Sequence, residues 1–153
     1  MSNSQYSYVS YIKASPESVW DALTSAEAMK SYFFGCPFEA DLRTGGSWRR
    51  MFSDGSLMTE GEFLEFSPAS RLDMSWRNAE PEKKAEGFSR CLIELAPTNG
   101  ATKRTVTLSI GVPNSKLISA VVEACPLVRS NLNSYCEAGE PARTYVRLEG
   151  FEA

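Results

Sequence analysis

Histidine is absent from the 153 residues, and this absence removes more chemistry than any single residue present adds. Without imidazole the chain has no Ser–His or Cys–His nucleophile pair, no HExxH zinc site and no group that titrates near neutrality without help. Any catalysis must run on carboxylates, Tyr, Lys, Arg or bound water. The four cysteines, Cys36, Cys91, Cys125 and Cys136, show no CxxC spacing, and 42% hydrophobic residues form a core that needs no staples. They are expected as reduced core thiols rather than as disulfides or metal ligands. No metal and no cofactor is expected. The loop Arg43-Thr44-Gly45-Gly46-Ser47 matches neither GxGxxG nor GxxxxGKS/T, so its glycines are turn residues and not a phosphate cradle.

What the chain does supply is bulky, adaptable apolar surface. Phe34, Phe38, Trp48, Met51, Met58, Phe63, Met74 and Trp76, with Val121 and Cys125 from a later segment, are candidates for the lining of an apolar ligand site. Core filling is the simpler account of any one of them taken alone. Arg49, Arg50 and Glu60 are candidate polar anchors, with Glu60 also a candidate acid/base if buried; a solvated place on a strand's outer face is the simpler account of all three. Burying ~300 Å² of apolar ligand at ~25 cal/mol/Å² yields ~7 kcal/mol gross, and association costs are of similar size. A tightly held ligand therefore needs a charged or hydrogen-bonding anchor.

These side chains must be positioned by the elements that the sequence pattern predicts. From Leu117, the apolar residues Ile118, Val121, Val122, Cys125, Val128, Leu132 and Tyr135 recur at spacings of three and four, predicting an amphipathic helix about 20 residues long. A proline at 126 is expected to bend it. Near the start, Tyr6 to Lys13 is aromatic and β-branched and predicts a first strand. Ser15 as N-cap with Pro16 behind it opens a helix, and Thr24 with Glu27 forms a capping box for a second short one. Between Cys36 and Ile110 the pattern is β. Asp54-Gly55 and Asn99-Gly100 mark hairpin turns, and the alternations Cys91, Ile93, Leu95 and Val106, Leu108, Ile110 predict one buried face, with Thr105, Thr107 and Ser109 toward water. Leu72, Met74 and Trp76 repeat that pattern. In Met58–Phe66 the parity of Phe63 conflicts with that of Met58, Leu64 and Phe66, which a bulge at Gly61 would resolve. The polar stretch 77–87 is expected as an exposed loop.

This order is an α+β architecture: an antiparallel curved sheet of about seven strands, two short helices after strand 1, and a long C-terminal helix laid across the sheet, with room for a cavity between the layers. The segments P-x-x-V-W-x-A-L-T (16–24), R-x-G-G-x-W (43–48), D-G followed by G-E-x-L-E (54–65), R-L-x-x-S-W (71–76) and P-x-V-x-S-N-L (126–132) together resemble the family named after the C-terminal domain of the activator of the 90-kDa heat-shock protein ATPase. The resemblance implies the START-like (SRPBCC) helix-grip fold in a single domain over 1–153, with a core of about 6–139. The tail 140–153 lies outside the pattern, as an added edge strand or an unstructured end. Members of the family often carry Trp just before the proline of the last helix; Cys125 here implies a changed pocket.

The resemblance implies three functions of different classes. The preferred one is a carrier or sensor that binds a hydrophobic small molecule in the cavity; the others are a co-chaperone-like stimulator of a heat-shock ATPase in a stress response and a cofactor-free enzyme of the polyketide-cyclase kind. A formal net charge of −3 without a cluster of basic residues argues against nucleic acid. No stretch approaches the ~18 apolar residues of a membrane span and no signal-peptide pattern opens the chain, so a cytoplasmic protein is expected. Exposed edge strands leave a homodimer open.

Overall fold

The computed structural model describes residues 4–33 and 35–139, apart from the side chains of Ala124 and Cys125. Strand β1 (Ser4–Ile12) leads into α1 (Pro16–Thr24) and α2 (Ala26–Tyr32); β2 (Phe38–Ala40), β3 (Ser47–Met51), β4 (Leu57–Ser67) and β5 (Arg71–Asn78) follow. A four-residue helical turn, α3 (Pro81–Lys84), precedes β6 (Ser89–Thr98), β7 (Ala101–Ile110) and the long helix α4 (Lys116–Ala138). The seven strands form one antiparallel sheet in the order β1-β7-β6-β5-β4-β3-β2, so the first strand closes the far side beside the last.

Local chemistry sets the boundaries. Ser15 accepts a hydrogen bond from the Ser18 amide with Pro16 at the first helical position, as the sequence predicts. The cap of α2 is Ser25, whose hydroxyl accepts from the Ala28 amide, one residue later than the expected Thr24. Thr24 is instead the last residue of α1 and donates its hydroxyl to the Trp20 carbonyl at 2.9 Å. In the β6–β7 hairpin Asn99 and Gly100 take φ of 44° and 80°, the two positive angles of a type I′ turn, whose twist suits the flanking strands.

The buried face of the sheet carries Leu72 and Met74 from β5, Cys91, Ile93 and Leu95 from β6, and Val106, Leu108 and Ile110 from β7. Period-2 alternation puts each set on one side, and pairing in register (Leu72 beside Ile93, Ile93 beside Val106) makes one continuous apolar surface. Helix α4 covers it with Leu117, Ile118 and Leu132 buried and Val121, Val128 and Tyr135 packed against the same core. Val122, expected in that stripe, is 44% exposed; at ~100° per residue it stands a quarter-turn round the helix from Val121, off the centre of the seat. The helix runs through Pro126 as a single element.

Two further expectations change. The face switch in β4 lies between Phe63 and Glu65, where the pairing with β5 shifts by one residue, not at Gly61. And the stretch 77–87 contains the end of β5 and α3 rather than loop alone. Its Glu86 reaches across to α4: the carboxylate accepts hydrogen bonds from the Ser115 hydroxyl at 2.6 Å and the Lys116 amide at 2.7 Å.

Candidate functional site

Between the sheet and α4 is a cavity of about 130 Å³. Its walls are the inward side chains of β5, β6 and β7, the helix residues Val121, Val128 and Leu132, and α2 with Met29 and Tyr32. Of the sequence candidates, Met74, Trp76, Val121 and Arg50 line this space. Phe38, Trp48 and Phe63 are buried in the adjoining core, at 8%, 3% and 2% exposure, and do not reach the cavity wall. Met58 is buried and Met51 half-buried, both away from it. Phe34 and the side chain of Cys125 lie outside the described residues, as does the tail 140–153.

The three charged candidates separate by strand parity. Arg49 and Glu60 stand on the opposite face, where Arg49 pairs with Glu39 at 2.8 Å and Glu60 with Arg77 at 2.7 Å. They border an open, solvated saddle of about 650 Å³ with Glu39, Asp41 and Glu62. Ion pairs at such exposure contribute little, and neither residue can anchor a ligand between the layers. Arg50 points the other way and is 4% exposed. Its guanidinium carbon lies 4.0 Å from the ring centre of Phe33, 5.2 Å from Trp76 and 5.7 Å from both Phe38 and Trp48, so the charge is spread over four aromatic faces. It also donates to the Thr59 hydroxyl at 3.3 Å and to the Met29 sulfur at 3.1 Å.

Sequence reasoning missed the second buried cation. Arg104 on β7 is 3% exposed and lines the cavity; its Nη2 donates to the Tyr8 phenol oxygen at 2.6 Å, while its Nε has no hydrogen-bond partner among the described residues. The signal was present, because Arg104 shares the parity of Val106, Leu108 and Ile110. Tyr32, also missed, lies within electrostatic reach of both arginines. Its hydroxyl donates to the Ala22 carbonyl at 3.0 Å, and burial pushes its phenol well above the ordinary range, against the opposing pull of Arg50 and Arg104. Burial likewise raises the thiols of Cys36 and Cys136, the latter to about 11, so both stay protonated and unreactive near neutrality. Among the described residues no group of His, Cys, Asp and Glu can hold a metal ion, and no helix is long and apolar enough to cross a membrane.

The model of the family described as Activator of Hsp90 ATPase homolog 1-like protein matches residues 13–137. The chain belongs to this family. Its Activator of Hsp90 ATPase homolog 1-like fold is shared by solved structures of low sequence identity. A protein from Mesorhizobium loti is 18% identical with a TM-score of 0.75, over 86% of this chain and 95% of that one. An HSP90 activator from Plasmodium falciparum is 21% identical with a TM-score of 0.67, over 90% and 97%. DynU16, a protein in the dynemicin biosynthetic locus, is 26% identical with a TM-score of 0.73; the match covers 91% of this chain but 49% of DynU16. No curated protein matches in sequence.

Proposed function

We propose that this member of the family binds an apolar small molecule between its sheet and α4, as a carrier or a sensor. The observation that carries this reading is the cavity of about 130 Å³ whose described wall, apart from the polar groups of its arginines, tyrosines and tryptophan, is aliphatic, aromatic and sulfur surface. An apolar cavity of roughly 150 Å³ in a protein core takes up benzene, so a space of about 130 Å³ is on the scale of a single ring or a short chain. Binding is favoured over catalysis by the chemistry of the wall. Arginines can stabilise a developing oxyanion, but the described wall has no carboxylate to take a proton, and burial keeps the Tyr32 phenol protonated. The test is a titration of the methyl-labelled protein with toluene. Saturable shifts confined to the methyls of Leu72, Ile93, Val121 and Leu132 are expected; an unchanged methyl spectrum at saturating toluene would reject the reading.

A second reading, stimulation of a heat-shock ATPase, draws on the family description and on the HSP90 activator among the structural neighbours. Addition of the protein to a purified 90-kDa heat-shock ATPase decides it: an unchanged turnover rate removes this activity and leaves ligand binding untouched.

A further inference from the structure

We infer that the ligand of this cavity is a small organic acid, its carboxylate held by Arg104 and its ring or short chain lying on Leu72, Met74, Ile93 and Leu108. This rests on the binding reading above and adds the charge of the ligand to it.

The inference starts from the cost of a buried cation. A guanidinium stays protonated in proteins, and its removal from water is tolerated only when an anion or a full set of acceptors replaces the lost hydration. Arg104 is 97% buried in a sheet position flanked by Ser10 on one side and Leu95 on the other. Among the described residues its one hydrogen-bond acceptor is a neutral phenol, its Nε is unpartnered, and no carboxylate lies within salt-bridge distance. Among its described residues the cavity wall contains two arginines and no aspartate or glutamate. Arg50 and Arg104 both line the space, so it presents two positive charges on an otherwise largely apolar wall. The polarity is that of a site for an amphipathic anion. Two N–H groups of a guanidinium fork match a carboxylate bidentately, and the unused Nε of Arg104 supplies one of them. The volume limits the apolar part to a single ring or a chain of comparable bulk.

The experiment is calorimetric titration of the full chain with phenylacetate, with its uncharged isostere phenylacetamide, with toluene and with acetate. Phenylacetate is expected to bind roughly 10- to 100-fold more tightly than phenylacetamide, the range set by a charge-assisted hydrogen bond pair, and acetate more weakly than either. Arg104→Met is expected to abolish the preference for the acid over the amide, while Arg104→Lys retains part of it. Far-UV circular dichroism and the melting curve establish that each variant is folded. Equal affinity for acid and amide would overturn the inference and leave cavity binding standing. Acetate binding as tightly as phenylacetate would overturn it as well, since the site would then be a plain anion site. Failure of every probe, toluene included, would remove the binding reading itself.

Discussion

At Gly61 a single methyl group would do great damage. A Cβ built there overlaps the Ser75 carbonyl oxygen and comes within 2.9 Å of Trp48 Nε1, the same indole nitrogen that donates to that carbonyl at 3.2 Å. Neither partner can retreat, because Ser75 is paired inside the sheet and Trp48 packs edge-on against Trp76 at 5.2 Å. Gly61→Ala is expected to destabilise the protein by about 3 kcal/mol, read as a lower urea midpoint with an unchanged slope; a shift below about 1 kcal/mol would show that β4 gives way. At Arg104 the expected sign is opposite. Replacing a buried, incompletely satisfied cation by an apolar side chain of similar length removes its desolvation cost, and the Tyr8 it leaves behind is only half-buried. Arg104→Met should therefore be as stable as the parent or more so, by up to about 2 kcal/mol, in the same urea assay. A clear loss would mark Arg104 as a structural residue. Arg104 was legible in principle, on the parity of a strand whose inward face the sequence identifies. It was overlooked because Lys103-Arg104 looks like a solvated basic pair, and because burial of a charge depends on what covers the strand, which is not written locally.

Among the elements, α4 depends on a tether that no local pattern reveals. Its first turn is held by Ser115, whose hydroxyl accepts from the Ile118 amide at 3.1 Å, and by Glu86, whose carboxylate accepts from Ser115, Lys116 and Leu117. Burial tends to raise the Glu86 pKa, but these hydrogen bonds outweigh it and hold the carboxyl below its usual value. A depressed carboxyl contributes stability above the unfolded-state pKa of ~4.3, and that contribution is lost as pH falls through the lower folded value. Glu86→Gln should cost about 1 kcal/mol near neutrality and progressively less as pH falls through the lowered folded-state value, so that the two melting curves draw together on acidification. A constant gap between them from pH 7 to pH 3 would show that the charge is not what holds the helix start. The separation of 29 residues between Glu86 and Ser115 explains why the tether was hidden. Where the signals are local the sequence is a good guide: Ser15 and Pro16 open α1, and Asn99-Gly100 turns the last hairpin. At the start of α2 two adjacent residues, Thr24 and Ser25, can both cap, and the sequence pattern selects the wrong one. Residues 77–87 are polar enough to hide a four-residue helical turn.

For the whole molecule, the order of strands and helices was legible because each segment carries its own period or turn signal and the five short motifs occur in the family's order. Gly46 and Gly61 within those motifs have a physical reason, since a Cβ at either would overlap a carbonyl oxygen of a neighbouring segment. The cavity was legible only as a consequence of laying one helix on one sheet; its wall was not. Of the aromatic and methionine candidates, Met74 and Trp76 reach it, while Phe38, Trp48 and Phe63 fill the core beside it, since residue type alone does not say which side of a packed layer a ring occupies. The two arginines that give the space its polarity come from β3 and β7, strands far apart in the sheet order, and meet only through the tertiary fold around Tyr32. The central claim, that this space takes a small apolar acid, is tested most directly by a crystal structure of the protein grown with phenylacetate. The ring is expected in van der Waals contact with Leu72, Met74 and Ile93, with the carboxylate within hydrogen-bond distance of Arg104 Nε. A cavity closed by its own side chains, or phenylacetate bound beside Arg49 on the outer face, would contradict it.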